Sequence, residues 1–180
     1  MKRENKTQFA LLGILSQCEM NGYEIRKYIE STISFFWSES FGQIYPTLKK
    51  LESDGLIQEV EKTDGNDKKK KVYRITKLGL KELKNWMETS NIQHHKRDEV
   101  LFKVFFGRHM SPNRLDAQIK SELEKNKKDL AQLLILKKEL LNEWANHPDE
   151  RFWQLTLEYA EKQTKLNLDW LSKVSSAISD

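Results

Sequence analysis

A proline and a glycine nine residues apart bracket the stretch FGQIYPTLKKLESDGLI, residues 41 to 57, and limit what this part of the chain can become. Proline lacks an N–H and its ring clashes with the carbonyl four residues back. Pro46 therefore suits a helix only near its start, and the regular helix is expected to begin about Gly42 or Gln43. Gly55 can take the left-handed conformation that closes a helix and lets Leu56 fold back onto Leu51. Between them Ile44, Leu48 and Leu51, with Phe41 upstream, repeat at helical spacing and predict one apolar stripe. Gln43, Thr47 and Lys50 are expected on the opposite, polar but not acidic, face.

The neighbours of this helix follow from period and capping. Thr7 is expected to cap a helix whose apolar face is Phe9, Leu11, Leu12, Ile14 and Leu15. Asn21 and Gly22 mark a turn, and YEIRKYIE carries apolar residues at 25, 28 and 29, a second helix. After Leu56 the period changes. LIQEVEK and KVYRIT are short runs of branched and aromatic residues separated by TDGNDKKK, which predicts an antiparallel hairpin with a long basic tip over 62 to 72. Tyr73 and Ile75 share one face of its second strand, Arg74 and Thr76 the other. Helix, helix, helix, hairpin is the order of a winged helix-turn-helix unit.

Thr76 opens a further helix with Leu80, Leu83 and Met87 on one stripe and Trp86 beside it. After the polar break NIQHHKR, Asp98 is expected to cap a helix with Leu101, Val104 and Phe105 as its face. Ser111-Pro112 then opens about thirty residues of amphipathic helix on Leu115, Ile119, Leu123, Leu130, Leu133, Leu140 and Trp144. A last helix follows His147-Pro148 and carries two stripes, one on Trp153, Leu157, Ala160, Leu168, Leu171, Val174 and Ile178, the other on Leu155, Tyr159, Leu166 and Trp170. One partner helix cannot cover both. With 38% hydrophobic and 32% charged residues the chain has a small core, and an antiparallel helical pair that also packs on a second copy is the simplest solution. The expected fold class is mainly α (α+β), with a winged helix-turn-helix over 1–90 and a long antiparallel helical dimerisation domain over 91–180.

The exposed face of the third helix suits a DNA major groove. Gln43 offers paired donor and acceptor groups, Tyr45 and Thr47 hydroxyls, and Lys49 and Lys50 positive charge for phosphates or guanine edges. The bland alternative is an ordinary solvated face. Lys68, Lys69, Lys70 and Lys71, with Arg74 close behind, form the one dense block of a single charge in a chain of net charge +4. On a hairpin tip they would gain affinity by releasing DNA counterions, or merely protect a sheet edge. Catalysis finds no support: the chain has no Gly-x-Ser-x-Gly, phosphate loop or His-Glu-x-x-His, and no enzyme, cofactor or metal site is expected. His94 and His95 lie in the polar break; His109 and His147 sit near helix ends, where a favourable dipole contact explains them. Cys18 is expected to be a small buried or half-buried side chain. Phe35, Phe36, Trp37, Phe105, Phe106, Trp144, Trp153 and Tyr159 are expected mostly in core or dimer contacts, although a flat small molecule seated where the two domains meet would use such rings. No stretch approaches the roughly 18 apolar residues of a membrane span, no signal peptide is evident, and the single cysteine cannot form an intrachain disulfide, so a cytoplasmic location is expected.

FALLGIL, NGYEI, FFWSESFGQIYPTLKKLESDGLI, KKVYRITKLGLKELKNWM and KRDEVLFKVFF, in that order, resemble the PadR family of bacterial transcriptional regulators, and the helical tail resembles the C-terminal domain of its first subfamily. The resemblance implies a homodimer with a winged helix-turn-helix at each end, acting in most cases as a repressor of detoxification, efflux or phenolic-acid stress genes. If the helical arms dimerise, recognition helices about one turn of double-stranded DNA apart, or a multiple of it, predict an inverted-repeat operator. The resemblance places the recognition helix over 43 to 54, with contacts from Ser40, Gln43, Tyr45, Lys49 and Lys50, and implies that the helix start at Gly22 and Tyr23 meets a phosphate through backbone N–H groups. Small aromatic effectors are known for some members; no pocket residue transfers by motif, so the effector is unknown. A protein-interaction scaffold without sequence-specific DNA binding is the competing class.

Overall fold

The computed structural model describes residues 6–37, 41–63, 69–89, 98–143 and 146–179, apart from the side chains at 41, 61–63, 69, 70, 141, 143 and 179. The chain falls into two units that divide between Gln93 and His94. The first comprises α1 (Thr7–Gln17), α2 (Gly22–Tyr28) continued by a π-type turn (Ile29–Ile33), α3 (Phe41–Ser53), the antiparallel pair β1 (Ile57–Thr63) and β2 (Lys69–Ile75), and α4 (Lys77–Thr89). Leu11, Leu12, Ile25, Ile44, Leu48 and Leu51 make the fully buried centre. Burial of each such side chain contributes about 1.5–3 kcal/mol.

Several local expectations change. Thr7 is the first helical residue and not the cap; Lys6 holds the cap position, and its side chain makes no cap hydrogen bond. One turn before Leu11, Thr7 is drawn into the buried face. Helix α3 starts at Phe41, so Pro46 lies inside it and leaves the Gly42 carbonyl without an i+4 partner. Its end is as the sequence indicates: Gly55 has φ +70°, the Leu56 N–H donates to the Leu51 carbonyl at 2.9 Å and the Gly55 N–H to the Glu52 carbonyl at 3.0 Å. Cys18 is exposed, because α1 has ended and its backbone is extended.

Thr76 starts α4. Its Oγ1 accepts the Gly79 N–H at 3.0 Å and donates to the Gly55 carbonyl at 2.8 Å. The helix approaches so closely that a Cβ on Gly79 would stand 2.0 Å from the Leu56 oxygen. The inward residues of α4 are Leu83 and Trp86, whose ring stacks on Phe9 at 4.4 Å. Leu80 and Met87, expected on that stripe, are exposed.

The second unit comprises α5 (Glu99–Phe105), a 3-10 turn (Gly107–His109) and the long helices α6 (Pro112–Glu143) and α7 (Glu150–Ser179). Asp98 caps α5 through Oδ1, which accepts the Leu101 N–H at 2.9 Å. Val100 and Val104 pack on Leu115, Ile119 and Leu171, while Leu101 and Phe105, both expected on the inner face, are exposed. A seven-residue helix lying on a neighbour's side can bury only one narrow stripe, and the valines take it. Ser175 donates to Asp116 at 2.9 Å and Lys137 to Glu161 at 2.7 Å, so α6 and α7 run antiparallel. His147 precedes the N-terminus of α7, where Nδ1 accepts the Asp149 N–H at 3.1 Å and the ring stacks on Trp153 at 4.4 Å.

Glu161 accepts from Lys137 and from Lys165 on its own helix, and those two ammonium groups hold its carboxyl well below the ordinary value, at about 2. A depressed carboxyl contributes stability above its unfolded pKa of about 4.3 and loses it as pH falls through the folded value. The helical pair is therefore expected to lose thermal stability as pH drops from about 4.5 to 2. Glu161→Gln should be less stable than wild type at neutral pH and should show a shallower fall in circular-dichroism melts across that window; equal slopes would show that Glu161 is not coupled to folding.

Candidate nucleic-acid interface

Two backbone hydrogen bonds fasten the hairpin to the link between α1 and α2: the Tyr73 N–H donates to the Met20 carbonyl at 2.9 Å and the Met20 N–H returns to Tyr73 at 3.3 Å. Beside this bridge Tyr45, on α3, rests its ring on the start of α2. A Cβ on Gly22 would stand 2.5 Å from Tyr45 Cε1. The Tyr73 hydroxyl is pushed above the usual phenol value chiefly by burial, with Glu52 and Glu59 adding to it.

Gln43, Tyr45, Lys49 and Lys50 are exposed together on α3, and no carboxylate holds either lysine among the described residues. Thr47 is not with them. At 3% exposure it is buried, because three residues after Ile44 and four before Leu51 is a position on the inward stripe whatever its polarity. Its hydroxyl cannot reach a groove. Ser40 lies outside the described residues.

The start of α2 also differs from the expectation of free N–H groups. Asn21 Oδ1 accepts the Tyr23 and Glu24 N–H groups, both at 2.9 Å, and Glu24 returns a carboxylate oxygen to the Asn21 N–H at 2.8 Å. This capping box takes the Tyr23 donor, does not involve that of Gly22, and puts an anionic side chain beside them. What α2 presents instead is side chains: the exposed Tyr23 ring, with Lys27 Nζ 5.0 Å from its centroid. Arg26, by contrast, is tied to Glu30 at 3.0 Å. Lys27 was missed by sequence reasoning, although its spacing four residues after Tyr23 was a readable signal.

On the wing, β2 extends further than expected. Lys69, Lys70 and Lys71 are paired in the strand with Thr63, Lys62 and Glu61, so the connection is shorter than 62 to 72 and the lysines ride on a strand and not on a loop. Lys68 lies outside the described residues. Lys71 donates to Glu59 at 2.8 Å, and that hydrogen bond and charge hold its ammonium above the usual value; Arg74 donates to Glu19. Phe35 and Phe36 meet edge to face at 4.9 Å; Phe36, Phe105, Phe106 and Tyr159 are exposed, and Trp144 lies outside the described residues. Within the second unit a cleft of about 190 Å³ between α5 and α6 is lined by Val100, Lys103, Leu115, Gln118 and Ile119, smaller than the usual small-molecule pocket.

Three helices, a two-stranded wing and an outward polar face on the third helix define a winged-helix regulator that acts on DNA. The sequence pattern of the transcriptional regulator PadR-like family matches residues 11–85, and that of the virulence activator alpha C-terminal region matches residues 96–179. The negative transcriptional regulator PadR of Bacillus subtilis (strain 168) is 33% identical over 127 residues, 70% of this chain and 70% of that protein. Its crystal structure in complex with operator DNA superposes with a TM-score of 0.76 at 30% identity, covering 96% of this chain and 98% of that one. The same regulator in complex with p-coumaric acid gives 0.71 at 28%, covering 100% and 99%. A PadR-like transcriptional regulator from Bacillus cereus gives 0.85 at 28%, covering 98% of both chains. The chain belongs to the PadR family of transcriptional regulators.

Because Tyr45 leans on Gly22, Gly22→Ala is expected to swing the phenol ring away while leaving the helices in place. Circular dichroism should be near wild type, whereas the Tyr45 ring resonances should shift and DNA affinity fall. Unchanged Tyr45 resonances would show that the ring does not depend on this contact.

Proposed function

We propose that this chain is a homodimeric, sequence-specific DNA-binding repressor that answers to a small aromatic effector. The observation that carries the DNA part is the exposure of Gln43, Tyr45, Lys49 and Lys50 across the outward half of α3, with Tyr23 and Lys27 exposed on α2 and Lys71 on β2. Gln43 reads a base edge; the lysines and Tyr23 hold the backbone. The relatives support repression and ligand response, since the Bacillus subtilis protein is described as a negative regulator and has been seen with operator DNA and with p-coumaric acid. Repression of stress, detoxification or efflux genes fits that description. A soluble, cytoplasmic regulator fits a chain in which no described helix is long and apolar enough to cross a membrane.

Dimerisation is supported by the second stripe of α7. Leu155, Tyr159 and Leu166 are each at least 56% exposed, on the side of the helix away from the buried Leu157, Ala160 and Leu171. Such a row along one long helix is the mark of an interface. Residues 1–90 then serve as the DNA-binding domain and 91–180 as the dimerisation domain, with two recognition helices separated by about one DNA turn, roughly 34 Å, or a multiple of it, which matches an inverted repeat.

The test is selection of bound duplexes from a random-sequence pool, followed by sequencing. Wild type should enrich an inverted repeat; Gln43→Ala should change which bases are enriched, and Lys49→Ala with Lys50→Ala should weaken binding to all sequences. A pool that stays random in every case would favour a scaffold without sequence-specific binding. In sedimentation experiments Leu155→Glu with Leu166→Glu should convert dimer to monomer and abolish enrichment of paired half-sites, whereas a dimer that persists would place the interface elsewhere.

A further inference from the structure

Two cations of the wing strand β2 are held by carboxylates, one on β1 and one on the link between α1 and α2. Lys71 faces Glu61 in the ladder, yet its ammonium turns back two residues toward the base of the hairpin to bond Glu59 at 2.8 Å on the same face. The Glu59 side chain is 26% exposed and that of Lys71 is 76% exposed, so the carboxylate is the sheltered member of the pair and the lysine the solvent-facing one. The opposite face of β2 repeats the arrangement, with Arg74 bonded to Glu19. On α3, by contrast, no carboxylate engages Lys49 or Lys50 among the described residues.

A carboxylate and a phosphate compete for the same ammonium donors. A lysine already engaged by a glutamate displaces fewer counterions when DNA arrives, and the glutamate repels phosphates within a Debye length of about 8–10 Å. An exposed ion pair is weak, so the competition tunes binding and does not block it. We propose that Glu59 is a built-in competitor of DNA phosphate at the wing: by holding Lys71 it lowers the sequence-independent share of affinity and leaves discrimination to α3. This rests on the DNA-binding reading above.

The test is a double-mutant cycle on the full-length protein, measuring binding to a duplex of fixed, unselected sequence at about 50 and 200 mM salt. Glu59→Gln keeps the side-chain shape and removes the charge. It should tighten binding about three- to tenfold at the lower salt and steepen the dependence of log affinity on log salt by about 0.9, the contribution of one added phosphate contact. In a Lys71→Ala background the same change should give less than half that gain, since no lysine remains to be released. An equal gain in both backgrounds would mean that Glu59 acts only as a distant negative charge, and no gain in either would mean that it does not compete; each result overturns the inference while leaving DNA binding intact. If no variant, wild type included, binds at the lower salt, the DNA-binding reading fails and this inference with it. Circular dichroism of all four proteins separates loss of fold from loss of affinity.

Discussion

The peptide group of Leu56 joins three elements. Its N–H closes α3 on the Leu51 carbonyl, and its own carbonyl accepts the Thr76 N–H at 3.0 Å, which pins the end of β2 and the start of α4 to the same point. Gly79 must lack a side chain because that carbonyl stands where its Cβ would be. An alanine there would push α4 outward and carry Trp86 off Phe9, so the stacking under α1 depends on an atom that belongs to the turn after α3. The glycine at 55 makes this possible, since only a left-handed residue lets Leu56 turn back at once.

With the far end of α3 held there, its near end is placed by α2. Tyr45 rests on Gly22, and the next turn of chain, Met20, is bonded to Tyr73 of the wing. The exposed side chains of α3 are thus presented by a helix fixed at both ends, whose inward residues Ile44, Leu48 and Leu51 are almost wholly buried. Preorganised side chains lose little conformational entropy on binding, which suits the base-reading role proposed for this helix.

The elements legible in the sequence are those set by short-range chemistry. Gly55, Asp98 as a cap and Ser111-Pro112 each act within a few residues, and the end of α3 and the starts of α5 and α6 fall where they point. The misplaced side chains share another cause. Polarity points Thr47 outward, whereas helical geometry puts it on the inward stripe; apolarity points Leu101 and Phe105 inward, whereas α5 turns the partly buried Val100 and Val104 to its neighbours. Residue type sets what burial costs, but the packing partner decides which stripe faces inward. Charge pairing was beyond reach for a related reason: Glu19 and Arg74 are 55 residues apart in sequence and Lys137 and Glu161 are 24 apart, so nothing local signals either contact. The capping box of α2 was within reach, because Asn21 and Glu24 have the required spacing, and it argued against free N–H groups at that helix start.

The positive block at 68 to 71 shows why a run of like charges is an incomplete guide to an electrostatic surface. Summed along the sequence it looks like the strongest DNA-binding feature. In the folded strand its described part faces Glu61, bonds Glu59 and lies one residue short of a buried valine, so its field is partly cancelled by its own hairpin. Lys49 and Lys50 are fewer, but they stand on a helix whose outward face carries no acid between Phe41 and Leu51. Glu52 and Asp54 follow within a turn, but no carboxylate bonds Lys49 or Lys50 among the described residues, so neither has a bonded competitor to displace, and a pair held on one helix meets phosphates at a fixed spacing. On the proposed DNA-binding reading, electrostatic weight therefore moves from the wing toward the helix that also carries Gln43.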